Sequence, residues 1–254
     1  LLITGDEEGP AINGTVKMLK TLAARGETID ACVVGEPTSA ERFGDMMKIG
    51  RRGSVNVDLI VRGTQGHVAY PHLIDNPIHR LSKLIEALIA TPIDNGSTHF
   101  QPTSLQWTNV DVGNSADNIA PGVLRARFNS RFNDLWTSEK LIAEFRRRLD
   151  AANAAVGGSG GYEMKARVSG ESFYTAPGEL SSLIGDAVRA VTGLEAELST
   201  TGGTSDARFI RSYCPVVEFG LVGQTLHKVD ERSTVADLQA LAKVYRLMLD
   251  RYFA

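Results

Sequence analysis

Three stretches place acidic and imidazole side chains where a catalyst would need them. "GDEEG" carries Asp6, Glu7 and Glu8 directly after the apolar run Leu1–Thr4, "GEPT" carries Glu36 directly after "ACVV", and "LVGQTLHKVDE" carries His227 after "VVEFG". In open α/β sheets chemistry collects at the carboxyl ends of strands. Carboxylates and imidazole are the usual oxygen and nitrogen donors for zinc and similar divalent ions. An adjacent pair of glutamates also lets one hold a cation while the other moves a proton. Each residue has a plainer use as well. An acidic pair can sit in a solvated turn or at a helix N-terminus, where the dipole favours negative charge. Glu36 before Pro37 can open a helix, and a lone loop histidine can be surface. The three together, at three strand ends, read as a possible metal site and no more than that.

The elements that must position these groups follow from periodicity. Leu1–Thr4 reads as a buried strand. Residues 15–25 read as a helix with Val16, Leu19, Leu22 and Ala23 on one face and Gly26 at its end. "IDACVVGEPT" is a second apolar strand. Strand, helix, strand, each strand continuously apolar, predicts a mostly parallel sheet covered on both faces. The pattern then changes. Val55, Val57, Leu59 and Val61 alternate with polar neighbours, as in a strand with one buried face. Ile78, Leu81, Leu84, Ile85 and Leu88 follow with helical spacing, then the strands "TSLQWTNVDV" and "GVLRARFNSRF". A helix carrying Leu141, Ile142, Phe145 and Leu149 and the strand "GYEMKARVSG" complete β-α-β-β-α-β, the ferredoxin-like order. This insert is placed at 52–168, inside an α/β domain made of 1–51 and 169–254. The second part of that domain has a helix over 178–192, a strand over 195–200, the strand of "CPVVEFG", and a last helix from Ser233. That helix is read with Val235, Leu238, Leu241, Tyr245 and Leu249 on its inner stripe.

Composition narrows the function classes. The 254 residues are 43% hydrophobic and 22% charged, with formal net charge −3 and no basic run, which excludes nucleic acid as an expected partner. No apolar stretch approaches the ~20 residues of a membrane span. Cys32 and Cys214 each sit in or beside an apolar strand, so both are expected as reduced core residues, consistent with a cytoplasmic protein.

In order along the chain, "GDEEG", "GEPT", "RRGS", "GTQGHVAYPH", "NIAPG", "GGTSDARF" and "HKVDE" resemble the zinc aminoacylase and carboxypeptidase family of co-catalytic metallopeptidases. "GTQGHVAYPH" with "GGTSDARF" points to its desuccinylase branch. The resemblance implies a zinc-peptidase-like catalytic domain with an inserted dimerisation domain. It implies Glu7 as general acid/base, Glu8 and His227 as ligands of one zinc, and Glu36 as ligand of the other. Two Zn2+ per subunit are implied in the intact protein, with Co2+ as an alternative. His67 resembles the histidine that reaches the partner subunit's site to polarise the scissile carbonyl. Arg51, Ser54, Tyr70, Asn118, Arg131, Gly203 and Thr204 match substrate positions. The implied substrate is the small molecule N-succinyl-L,L-2,6-diaminopimelate, hydrolysed to succinate and L,L-diaminopimelate in lysine and peptidoglycan precursor synthesis by a homodimer joined through the insert. Cationic and hydrogen-bonding groups suit its carboxylates. Taken without the resemblance, Asn118 is a turn residue, Arg131 a solvated strand arginine, and Thr204 or Ser205 a helix N-cap.

The family pattern opens with an H-x-D motif and a metal-bridging aspartate, and neither lies in these residues. The expectation is therefore a chain without its N-terminal segment, unable by itself to hold two zinc ions. Two other readings stand beside the leading one. One is an acetylornithine deacetylase or aminoacylase of the same superfamily. The other is a non-catalytic fragment that only dimerises.

Overall fold

The computed structural model describes all residues, Leu1–Ala254. In chain order, α1 (Thr15–Ala24) leads to β1 (Cys32–Val34), β2 (Met46–Lys48) and β3 (Gly50–Arg51). Then come β4 (Gly53–Arg62), β5 (Gly66–His67), α2 (Pro77–Ile89), β6 (Ser104–Asp111), β7 (Ile119–Ala120), β8 (Val123–Phe132), α3 (Ser138–Val156) and β9 (Gly161–Gly170). The chain finishes with β10 (Phe173–Tyr174), α4 (Glu179–Thr192), β11 (Glu197–Ser199), α5 (Ala207–Ile210), β12 (Val216–Glu218) and α6 (Val235–Tyr252). It divides into two units, Leu1–Arg52 with Phe173–Ala254, and Gly53–Ser172.

The inserted unit is a four-stranded antiparallel sheet in the order β6-β8-β4-β9, backed by α2 and α3. Alternation in β4 buries Val55, Val57, Leu59 and Val61 at 1% exposure or less, and β8 answers with Leu124, Ala126 and Phe128. Phe128 meets the rings of Trp107 and Phe145 at 4.9 and 5.3 Å, an arrangement that adds to simple area burial. Both helices start on capping side chains: Asn76 accepts from the Ile78 N–H before Pro77, and Thr137 accepts from the Lys140 N–H. Ile78, expected on the core face of α2, is exposed, and Arg80 is buried instead. The Arg80 guanidinium holds Asp75, the Asn153 side chain and the Gly157 carbonyl, so α2 is tied to the end of α3 by hydrogen bonds that a methylene stem and a charged tip can supply together.

The α/β unit has a sheet of short strands in the order β1-β12-β2-β11. β1 with β12 and β2 with β11 are parallel, and β12 with β2 is antiparallel. Its core joins Phe43, Met47, Ile184, Val188, Val217, Phe219, Val244 and Met248. Two sequence expectations fail here. Leu1–Thr4 forms no strand, because no strand of the sheet pairs with it, and Leu1, Leu2 and Ile3 are exposed. The inner stripe of α6 is Val244 and Met248 with Ala240, Leu241, Tyr245 and Leu247, while Val235, Leu238 and Leu249 are exposed. That helix is apolar on two faces, so periodicity alone did not decide which face the sheet would take. In α1, Leu19 is buried and Ala23 exposed. Gly26 follows α1 with φ +73°, the left-handed conformation expected of it. Cys32 and Cys214 are both free.

Candidate active site

A turn, a strand end and a loop bring the acidic residues together, and only Glu36 directly follows a strand, since Leu1–Thr4 forms none. The "GDEEG" turn is clasped by Asp6, whose carboxylate accepts the N–H groups of Ile12 and Asn13 at 2.7 and 2.8 Å, with its own backbone at φ +71°. Those backbone donors, Asn13 first and then Ile12, hold the Asp6 carboxyl below the usual carboxylate range. The first acid of the triplet therefore shapes the loop, and the two glutamates after it are presented. Gly35-Glu36 follows β1, and the "QTLHK" loop follows β12 at a short distance, with His227 itself at φ +58°.

Glu7, Glu8, Glu36 and His227 line one cavity of about 820 Å³, together with Lys48, Arg51, Thr201, Gly203 and Thr204. Glu8 Oε1 lies 3.5 Å from His227 Nε2, and both side chains are exposed. Glu36 lines the same cavity, but no three His, Cys, Asp or Glu side chains converge tightly enough to form a ready metal cluster. The donors thus fit a divalent cation in part: an oxygen and an imidazole nitrogen face each other, and a further carboxylate stands apart from them. Burial raises the Glu7 carboxyl, and the neighbouring charges of Glu8 and Asp206 add to it. Glu36 is pushed up to about 7, first by burial and then by the charges of Glu218 and Glu7, with Arg51 acting in the opposite direction. A carboxyl poised near neutrality, beside others held apart in affinity, is the usual setting for proton transfer or cation binding.

Several residues in or beside this cavity make contacts that sequence reasoning did not foresee. Arg51, expected as a substrate group, is 7% exposed and its guanidinium is paired with Glu218, which is fully buried at the end of β12. Lys48 donates to the hydroxyls of Thr201 and Ser199 at 2.7 and 3.2 Å, and burial lowers it to about 8. Asp206 accepts from Thr15 at 2.5 Å. The N-cap of the four-residue α5 is Asp206, with no side-chain capping bond, and not Thr204 or Ser205. Thr204 accepts instead from Arg208 at 2.9 Å. The signal for Lys48, Arg51 and Glu218 was weak, because each lies in or beside a strand of two or three residues that carries no visible period.

The other expected site residues lie in the inserted unit. β5 pairs with β7, setting His67 opposite Ile119, and the Val68 N–H donates to the Asn118 carbonyl at 3.0 Å. Tyr70 packs edge-on to His67 with ring centres 5.9 Å apart, so His67, Tyr70 and Asn118 share one small ribbon. Ser54 and Arg131 are neighbours across β4 and β8.

The description "Peptidase dimerisation domain" matches residues 49–156. Over its whole length the chain is 59% identical to a protein of Parvibaculum lavamentivorans and, over 253 residues, 56% identical to one of Rhodospirillum rubrum, both named succinyl-diaminopimelate desuccinylase. The chain spans 64% of the length of each. Among solved structures it is similar to aminopeptidase PepT of Bacillus cereus, with TM-score 0.78 and 19% identity over 99% of this chain and 64% of that one. It is also similar to an M20 family metallo-carboxypeptidase of Sulfolobus solfataricus, with TM-score 0.75 and 14% identity over 98% and 69%.

Proposed function

Starting from a chain with the M20 peptidase-like α/β fold and a peptidase dimerisation domain, homologous along its full length to desuccinylases, we propose that it serves a metal-dependent amide hydrolase. The substrate is N-succinyl-L,L-2,6-diaminopimelate, and the setting is the cytoplasmic synthesis of lysine and peptidoglycan precursors. The observation that carries the reading is the pair Glu7 and Glu8 in one cavity with Glu36 and His227. Glu8 and His227 would hold one divalent ion, zinc or cobalt, and Glu36 would serve a second. Ions bound there supply Lewis acidity toward the amide oxygen and toward water.

The chain's own residues do the rest. Glu7 takes a proton from the attacking water and passes it to the leaving amine nitrogen, first as base and then as acid. Its raised affinity for the proton, caused by burial and by Glu8, suits the second half of that task. Cationic and hydroxyl groups of the cavity, Arg51 and Thr204 among them with the Gly203 backbone, receive substrate carboxylates. His67 of one copy reaches the active site of the other copy and polarises the scissile carbonyl there, and Ser54, Tyr70, Asn118 and Arg131 contact substrate. The insert also joins two copies. α2 exposes Ile78 and Ile89, and β6 has a neighbour on one side only, leaving its other backbone edge open to pairing.

The test is a chimera in which this chain is joined to the portion of the Parvibaculum lavamentivorans relative that it does not match. Loaded with zinc, it is expected to release succinate from the succinylated diamine and to lose at least about a hundredfold in kcat on Glu7→Gln. Preferred cleavage of acetylornithine moves the assignment to a deacetylase. No amidase activity in the loaded chimera leaves a dimerising module.

A further inference from the structure

Arg51 is held in a way that its place in the cavity does not by itself require. Its Nε donates to Glu218 Oε2 at 2.8 Å, its Nη2 donates to the same oxygen, and its Nη1 donates to the Thr201 carbonyl at 3.1 Å. Glu218 Oε1 in turn accepts from the Ser205 hydroxyl at 2.5 Å. Glu218 and Ser205 are fully buried, and Arg51 nearly so. Gly202, at φ +103°, has its α-carbon against the guanidinium, where a Cβ would collide with Arg51 Nη1. Three of the five N–H groups of Arg51 are therefore committed within the protein, and the plane of the guanidinium is fixed by contacts on more than one side. A charge removed from water in this way is costly unless it is fully partnered, and a rigid fork suits a planar acceptor in a way that a mobile cation does not.

We propose that Glu218, steadied by Ser205, is a positioning residue for Arg51: it fixes the guanidinium so that the two uncommitted N–H groups meet a ligand carboxylate in the cavity. The ligand half of this statement rests on the carboxylate-bearing substrate proposed above; the fixing of Arg51 does not.

The two halves are read separately on the 254-residue chain. In 1H–15N spectra the Arg51 Nε–H is expected to exchange slowly with water. Glu218→Gln is expected to speed that exchange about tenfold or more, and Ser205→Ala, which leaves the ion pair in place, by less. Unchanged exchange in both variants overturns the fixing role. In calorimetric titrations with succinate as the probe, Glu218→Gln is expected to weaken binding about tenfold, with Glu218→Asp recovering part of it. In an Arg51→Gln background the same change is expected to cost less than about twofold, since the partner it acts through is gone. An equal loss in both backgrounds contradicts action through Arg51. If the unaltered chain does not bind succinate, the carboxylate-receiving reading of the cavity fails, and the fixing role stands or falls on the exchange data.

Discussion

The two units solve different problems with the same chain. The insert builds on strands of up to ten residues whose inner faces are almost wholly buried, and its polar core residues, such as Arg80 and Asn133, are spent on tying helices and loops together. The α/β unit builds on strands of two or three residues, leaves Val235, Leu238 and Leu249 exposed, and buries charged groups such as Glu218, Arg51 and Asp206 around a cavity. One unit uses burial for stability. The other accepts electrostatic cost around its cavity, which is the pattern expected where groups must be held away from their ordinary ionisation.

That contrast breaks first at the aromatic centre of the insert. Phe128→Ala should cost about 3–5 kcal/mol, read as lowered urea resistance of the insert's resonances. Arg80→Leu should cost less, about 2–3 kcal/mol, because it leaves the Asp75 carboxylate without its cation while Asp75 keeps the Gly160 N–H. A loss below about 0.5 kcal/mol from either change would mean that the insert is not the better-packed unit.

In the α/β unit the sign reverses. The Glu36 carboxyl has an ordinary value of 4.5 and is raised to about 7 in the fold. Between those values the folded state binds its proton more tightly than the unfolded chain, so this group makes stability fall as pH rises from about 4.5 to 7, with the full cost present above 7. Glu36→Gln removes that cost. The variant should melt roughly 2–4 °C higher than the natural chain at pH 7.5 and about the same at pH 4.5, measured without divalent metal. A variant that melts lower at pH 7.5 would show that the carboxylate is stabilising as an anion. The smallest effect is expected at an exposed ion pair: Arg62→Gln opposite Glu163 should change stability by less than about 0.5 kcal/mol.

The same contrast governs what the sequence made legible. The insert was readable because ten-residue strands repeat their period several times, and because α2 and α3 carry Leu84, Leu88, Leu141, Phe145 and Leu149 at helical spacing. Arg80 in place of Ile78 was not readable, since its burial depends on partners that lie 73 and 77 residues further along. In the α/β unit the strands β2 and β3 were missed altogether, as two or three residues hold no period. Leu1–Thr4 looked like a strand because apolar character marks a segment that can pair, and does not say whether any strand pairs with it. Glu36 was legible at a strand end, Glu7 and Glu8 only as an adjacent acidic pair whose expected strand does not form, and the resemblance gave them roles. Asp6, Lys48 and Glu218 were not, because what they do depends on hydrogen bonds that only the fold creates.

We propose that Glu8 and His227 share one cation and Glu36 takes another, with Glu7 left free to carry protons. Crystals of the chimera grown with zinc, and diffraction recorded on either side of the zinc absorption edge, test it directly. The expected result is one anomalous peak between the Glu8 carboxylate and the His227 imidazole, a second beside Glu36, and the Glu7 carboxylate binding neither. Zinc bound elsewhere, or coordinated by Glu7 itself, would contradict it.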